Sequence, residues 1–518
     1  MMINAVKREI PDELLVNGKE VYQGKHYMDG KYIKKDSPTS RKRIKPQENK
    51  LCGSIREACE RCGAHDGMTF SFHTELRNGD YVASMVAKVL VEEMGLKDIT
   101  VVATSLGSAQ DVIADYIEDG RIIGVQTSGV RGRIGEVISA GKLKTPAIIR
   151  SHGGRPRAIE AGEVHIDIAF LAAASSDCCG NAKGVGGKNN FGSMGFGSHD
   201  PYYADHTIII TDTLVGFPNL PSSVSTIDVD YVCVVDEIGD PQKIATKEAR
   251  MTDNPRELMM AENVANVIAA TPYFKDGFSF QTGVGGPSLA ATRFLEDHMV
   301  EKSIKMSFTL GGTSTAICRL QDKGFVEHIL DTQDFDQGAI EHIFSNPKHH
   351  EINLSEYANA ANKGAYVNKL DYVVLSALEV DLDFNVNVIT GSDGILRGAP
   401  GGHPDTAAGS KCCIIVTPLT RGRMATICDE VVTVTTPGDC VDVVVTDYGI
   451  AVNPLRQDLI QCLDEAKIPH VTMESLRDKA YSLVGTPDRL AWEDKVVAIV
   501  EARDGTILDV VRKIIPFQ

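Results

Sequence analysis

The chain has 518 residues, 43% of them hydrophobic and 24% charged, and a formal net charge of −17. That length exceeds what one hydrophobic core organises and fits two α/β domains. The acidic balance argues against a nucleic-acid binder, whose phosphate contacts need clustered Lys and Arg. No apolar run approaches the length of a membrane-spanning helix, and Met1 to Arg8 lacks the apolar core of a signal peptide, so a cytoplasmic protein without a membrane partner is expected.

Residues 1–50 read as a basic N-terminal arm. Nine Lys or Arg (Lys25, Lys31, Lys34, Lys35, Arg41, Lys42, Arg43, Lys45 and Lys50) stand against Asp29, Asp36 and Glu48, as a solvated arm or as a dock for an acidic protein partner. The twelve cysteines, in a chain without a secretory signal, read as free thiols. Cys59, Cys62 and His65 have ligand types in helical spacing, but no second pair follows at zinc-ribbon spacing, so burial is their expected role and no metal is expected.

Gly67 to Phe72 reads as a buried strand, Asp80 to Met94 has the 3.6-residue period of a helix, and Ile99 to Ala103 is a second strand. Val164 to Leu171 and Thr207 to Ile210 continue the rhythm. A cluster of Pro, Asn and Ser between Pro218 and Asp230 marks a boundary that divides the chain into units 51–225 and 226–518. In the second unit Leu370 to Ala377, Cys413 to Val416 and Val441 to Val445 are the matching strands, and Val496 to Val500 reads as a last strand closing that unit.

The matching extends to register. Phe70-Ser71-Phe72 is echoed by Phe278-Ser279-Phe280, and the pairs Phe70/Phe278, Asp167/Asp371, Asp177/Asp381 and Ile208/Ile414 are offset by about 208, 204, 204 and 206 residues. The expected fold class is therefore α/β: two tandem open α/β domains of related topology, with mostly parallel sheets flanked by helices. Three glycine-rich segments, Gly184 to Gly197, Gly283 to Gly286 and Gly391 to Asp405, follow strands. Ligands bind at the carboxyl ends of parallel strands, and glycine lets successive N–H groups approach one negative charge.

At Gly398-Ala399-Pro400-Gly401-Gly402-His403-Pro404-Asp405 the chain resembles the glycine loop of the coenzyme A transferases, a superfamily sharing its fold with sugar-phosphate isomerases. Val445-Thr446-Asp447-Tyr448-Gly449-Ile450-Ala451 is similar to a second segment of that family, with Asp447 where Glu is usual. More narrowly, Ser175 to His199 and Leu330 to Asp336 resemble the α subunit of bacterial citrate lyase. That resemblance implies transfer of an acyl-carrier thiol from acetate to citrate. It also implies a carrier (γ) subunit bearing a coenzyme A-like phosphopantetheine arm, a separate citryl-thioester lyase (β) subunit, an oligomeric complex, and no tightly bound cofactor. Members of the superfamily carry a nucleophilic Glu where this chain has Ser307 to Ser314, with no Glu, so the resemblance implies direct reaction through a mixed anhydride rather than a glutamyl thioester.

Such a reaction needs proximity and oxyanion donors more than a base. The donors are expected among the backbone N–H groups of Val284, Gly285, Gly286, Gly401 and Gly402, with Gly311 and Gly312 making room for citrate. Substrate contacts are expected from His73, Thr74, Ser128, Arg131, His199, Gly283, Thr313, Ser314, Arg397 and His403, in which Arg131, Arg397 and His403 are the cations for citrate. Asp405 is expected to brace its own loop. Two alternatives stand beside this: a glutamate-dependent acyl-CoA transferase or hydrolase using Glu379, and a binding module without turnover.

Overall fold

A computed structural model describes residues 1–16, 18–24, 49–245, 252–283 and 286–515. Most of the expected basic arm, residues 25–48, lies outside the described residues, as do Val284 and Gly285.

To the two large sheets of the molecule the first unit contributes eight strands: β1 (Leu51–Cys52), β2 (Thr69–Phe72), β3 (Ile99–Ala103), β4 (Ile122–Thr127), β5 (Ala147–Ile149), β6 (Ile168–Ala173), β7 (His206–Thr211) and β8 (Tyr231–Val234). The second contributes β9 (Phe278–Thr282), β10 (Met306–Thr313), β11 (Val326–Asp334), β12 (His349–Glu351), β13 (Tyr372–Ser376), β14 (Cys412–Val416), β15 (Val443–Val445) and β16 (Ile450–Val452). Two last strands are β17 (Trp492–Glu501) and β18 (Ile507–Ile514).

One sheet runs β18-β17-β5-β4-β3-β2-β6-β7-β8-β1, and the other β12-β11-β10-β9-β13-β14-β15-β16. Within them, β5-β4-β3-β2-β6-β7-β8 and β12-β11-β10-β9-β13-β14-β15 are the same seven-strand order, all parallel. The duplication legible in the offsets is thus a duplication of topology. The chain also departs from the expected division. Strand β8 follows residue 225 yet pairs with β7, and β17, read as closing the second unit, pairs in parallel with β5 of the first sheet. The N-terminal residues join the same edge, where Ile10, Val21 and Ile507 form a small apolar cluster and Arg8 lies 3.3 Å from Asp509.

The parallel strands are continuous apolar runs because both faces are covered. In β13, Tyr372 and Val374 enter one core while Val373 and Leu375 enter the other; in β14, Cys412, Ile414 and Val416 alternate in the same way with Cys413 and Ile415. Each buried branched side chain contributes about 1.5–3 kcal/mol of transfer free energy. The helix expected over Asp80 to Met94 is α-helical over Val82–Lys88 and continues as π-helical turns over Val89–Glu93. All twelve cysteines are free thiols, and burial pushes the Cys59 thiol up to about 12. Among the described residues no helix is long and apolar enough to cross a membrane.

Matching aspartates tie the strands down in both units. Asp167 accepts from the Thr69 N–H at 2.7 Å, and Asp371 accepts from the Ser279 N–H at 2.9 Å. Asp177 accepts from the N–H groups of Cys179 and Asn181 and from the Asn181 amide; Asp381 accepts from Asp383, Asn385 and the Asn385 amide.

Candidate active site

In both sheets the chain moves outward from the central strand of the seven, β2 or β9, returns, and moves outward the other way, leaving a switch point between β2 and β6 and another between β9 and β13. Crevices open at the carboxyl ends of strands in that arrangement. Here the two sets of carboxyl ends line one shared cavity of about 680 Å³. From the first unit come Thr74 and Arg77 after β2, Ser105 after β3, Ser128 and Arg131 after β4, and His152 after β5. The second gives Gln281 and Gly283 at β9, Gly312 in β10, Gln333 and Phe335 around the end of β11, Ser376 in β13, and Gly401, Gly402 and His403 of the glycine loop. Among the described lining residues there is no Asp, Glu, Lys or Cys.

Positive charge comes from two guanidinium groups. Arg77 donates through Nη1 to the Phe335 carbonyl at 2.7 Å and lies over the Phe335 ring at 5.6 Å. Removal from bulk water lowers its pKa, the Asp336 carboxylate partly offsets this, and the neighbouring Arg131 lowers it further. Arg131 is open to the cavity yet walled by protein, and that desolvation lowers its pKa too. Neither Arg77 nor Arg131 has a carboxylate within ion-pair distance among the described residues. Two like charges held close in a poorly solvated cavity are an anion site, because a carboxylate between them relieves both the repulsion and the desolvation.

Neutral groups complete the lining. Burial, and secondarily Arg155, lower the His152 pKa to about 4; burial alone lowers that of His403 to about 4. His403 contacts the Ser376 carbonyl through Nε2 at 3.1 Å and the Thr436 hydroxyl through Nδ1 at 2.7 Å. The carbonyl cannot donate, so Nε2 carries the proton and Thr436 donates to Nδ1. His403 is therefore a neutral, hydrogen-bonded wall residue, not the cation expected for citrate. The Gln281 amide donates to the Tyr357 hydroxyl at 2.8 Å, and three glycines surround this floor. A Cβ at Gly402 would stand 2.2 Å from the Tyr357 oxygen, one at Gly312 2.0 Å from the Phe335 ring, and one at Gly311, where φ is +93°, 2.7 Å from the Gln281 amide nitrogen.

The structure brings Thr74, Ser128, Arg131, Gly283, Gly312, Gly401, Gly402 and His403 together at the cavity, with Gly311 against Gln281, while Val284 and Gly285 lie outside the described residues and the remaining candidates stand elsewhere. His73 is buried with Nε2 3.1 Å from Asp200, which Arg155 also holds. His199 packs against the Tyr203 ring and lies 3.5 Å from Glu160. Arg397 is an exposed partner of Asp393. Thr313 and Ser314 are buried at the end of β10 and the start of helix Thr315–Asp322. Gly286 opens helix Gly286–Lys302, outside the lining, where a Cβ would press on Glu257. One expected donor N–H group is already used, Gly401 donating to the Ser128 carbonyl at 3.3 Å, and the N–H of Gly283, expected as a substrate contact, donates to Val374 at 3.0 Å. The Gly402 N–H has no partner among the described residues. Asp405 braces not its own loop but the first unit, accepting from Ser151 Oγ at 2.9 Å and Gly153 N–H at 2.8 Å.

Glu379 lies outside the cavity lining, half-buried, accepting from the Asn387 amide and the Val432 N–H. Arg77, His152, Gln281 and Tyr357 are cavity residues that the sequence pattern does not single out. For Gln281 the signal was its place directly after the Phe278-Ser279-Phe280 echo.

The comparisons with known proteins agree with this architecture. Residues 48–514 match the family model "Citrate lyase, alpha subunit". The citrate lyase alpha chain of Klebsiella pneumoniae is 47% identical over 478 residues, covering 92% of this chain and 94% of that one. A solved structure from Streptococcus mutans, reported as the alpha subunit of citrate lyase in complex with citrate, superposes with a TM-score of 0.96 at 47% identity over 99% of this chain and 100% of its own. The alpha subunit of a malonate decarboxylase from Acinetobacter baumannii shares the fold, with a TM-score of 0.64 at 16% identity over 84% and 87% of the two chains. With the family model spanning nearly its whole length and a close relative covered end to end, the chain belongs to the citrate lyase alpha-subunit family.

Proposed function

We propose that this cavity binds citrate beside the acetyl thioester of an acyl carrier and exchanges the two acids. A citrate carboxylate attacks the thioester carbonyl; a C–O bond forms, the C–S bond breaks, and the carrier leaves as thiolate. The thiolate then attacks the citryl carbonyl of the mixed anhydride, a new C–S bond forms, and acetate departs with the anhydride oxygen. No net proton is moved, so a cavity without a carboxylate base suffices. Arg77 and Arg131 hold citrate's carboxylates, and the Gly402 N–H stabilises the tetrahedral oxyanions. Glycine at 311 and 312 leaves the volume into which the citrate carboxylate advances.

One observation carries this reading: the described lining pairs two guanidinium groups that make no ion-pair contact with a complete lack of Asp, Glu, Lys or Cys. An anionic substrate fits, and an acyl-enzyme on a carboxylate or thiol does not. The carrier's phosphopantetheine-type arm enters as a substrate on a partner subunit, and the citryl thioester is handed to a lyase subunit. The test is incubation of the purified chain with citrate and acetyl-coenzyme A, followed by mass spectrometry of small molecules and intact protein. Citryl-coenzyme A with an unmodified chain is the expected result. A chain heavier by an acyl or coenzyme A adduct would overturn the direct mechanism.

A further inference from the structure

Behind the cavity wall, ligand-type side chains from neighbouring strands converge with one atom of each left without a hydrogen bond. Asp331, Asp334 and His349 are all buried and each offers one ligand atom within 4.8 Å of the others, and Asp331 Oδ2, Asp334 Oδ1 and His349 Nε2 have no hydrogen-bond partner among the described residues. His349 Nε2 and Asp331 Oδ2 are 3.4 Å apart, with both side chains fully shielded from solvent. Buried polar atoms are rarely left orphaned, and three orphans facing one point ask for something that satisfies all of them.

The other end of each side chain is already held. Asp331 Oδ1 accepts from the Gln333 N–H at 3.0 Å, Asp334 Oδ2 from the Ser193 N–H at 2.9 Å, and His349 Nδ1 lies 3.0 Å from His342 Nδ1. If His349 donates through Nδ1, its Nε2 keeps a lone pair directed at the carboxylates. Ligands of a metal ion are oriented by outer partners of this kind. Atoms bound at about 2.0–2.3 Å can be at most about 4–4.6 Å apart, close to the spread found here. Gly192, with φ +87°, has no Cβ where one would collide with Asp334.

We propose that Asp331, Asp334 and His349 bind one divalent transition-metal ion of the manganese or zinc class. Two carboxylate oxygens and an imidazole nitrogen are the donor set such ions take. The ion would hold β11 against the segment at Ser193, whose hydroxyl also donates to the Asp331 carbonyl at 3.3 Å. Thr332 and Gln333, between the two carboxylate ligands, line the cavity, so the ion would stiffen the substrate wall without touching substrate. It would also answer the charge problem of two fully buried carboxylates placed side by side. Cys318 and His342 form a second grouping with the same His349, but the orphaned atoms lie on the carboxylate side.

The test is elemental analysis of the untagged chain purified without chelator, followed by melting of the chelator-treated chain with Mn²⁺ or Zn²⁺ added. Expected are about one ion per chain and a rise in melting temperature of about 3 °C or more at saturation. Asp334→Asn and His349→Gln should lose both, while Cys318→Ser keeps both. Wild-type chain with neither bound metal nor a metal-dependent shift overturns the proposal in favour of a proton shared between the carboxylates, and needs no variant to fold. Loss of the ion in Cys318→Ser would overturn the ligand set by moving the ion to the thiol side.

Discussion

The two units keep one scaffold and differ where they meet the cavity. Seven strands run in the same order in both, and the aspartate turns at Asp177 and Asp381 use the same donors two and four residues on. At the carboxyl ends the likeness stops. The first unit supplies side chains with charge and hydrogen-bonding capacity, Arg77, Arg131, Ser128 and His152; the second supplies largely backbone and space, at Gly283, Gly312, Gly401 and Gly402. After duplication, the hydrogen bonds that set strand register had to persist in both copies, whereas the loops were free to divide the work between an anion clamp and a bare floor.

Removing the clamp should break this division most severely. Arg131→Ala and Arg77→Ala are each expected to lower kcat/KM for citrate by about 10²- to 10³-fold, the cost of truncating one partner of a desolvated charge pair. The KM for acetyl-coenzyme A should change far less. Arg397→Ala, on the surface with Asp393, should stay within about twofold in the same steady-state assay. An equal loss in citrate and acetyl-coenzyme A terms for Arg131→Ala would mean that the first unit does not own the citrate side.

The floor is tested by adding one methyl group. Gly402→Ala and Gly312→Ala place a carbon 2.2 Å from the Tyr357 oxygen and 2.0 Å from the Phe335 ring, and about 10²-fold loss of kcat is expected in each. Melting temperature should fall as well, by the amount typical of overpacking. A normal kcat would show that the floor can retreat and that its bareness is not used.

The scaffold itself offers a smaller contrast in pH. Burial opposes ionisation of Asp177, yet the Asn181 amide and the N–H groups of Asn219, Cys179 and Asn181 hold its pKa below the ordinary value. At Asp381 burial outweighs the matching donors and raises the pKa to about 6. A depressed carboxyl stabilises the fold above its unfolded pKa of about 3.9 and loses that contribution as pH falls; a raised one stabilises below that value and loses it as pH rises through about 6. Between pH 4 and pH 7 the destabilisation caused by Asp381→Asn should therefore shrink, while that caused by Asp177→Asn should persist. Thermal melts across that range compare the two, and parallel curves would refute the contrast.

What the sequence makes legible follows from range. Strands such as Val441 to Val445 announce themselves because both faces are covered, and the duplication is legible because Asp167 and Asp371 must each anchor a strand start. The carboxyl-end placement of the glycine loop is likewise a local signal. Arg77 carries none: its role comes from standing next to Arg131 and Phe335, each brought in by a different strand. His403 misleads because an imidazole beside glycines looks like a cation until burial is known. The membership of β17 is hidden too, because its apolar pattern fits any sheet edge and only the three-residue neighbour β5 decides which one.

That last strand has a consequence for biosynthesis. Because β17 and β18 complete a sheet begun near residue 51, the second unit is an insertion within the first, and the ribosome must finish nearly the whole polypeptide before the first sheet can close. Until then the edge of β5 is open to other chains, and its closure waits on contacts several hundred residues apart in sequence. The enzyme cannot be divided into two separately expressed lobes at the visible linker, and losing residues after 490 would damage the half that was made first.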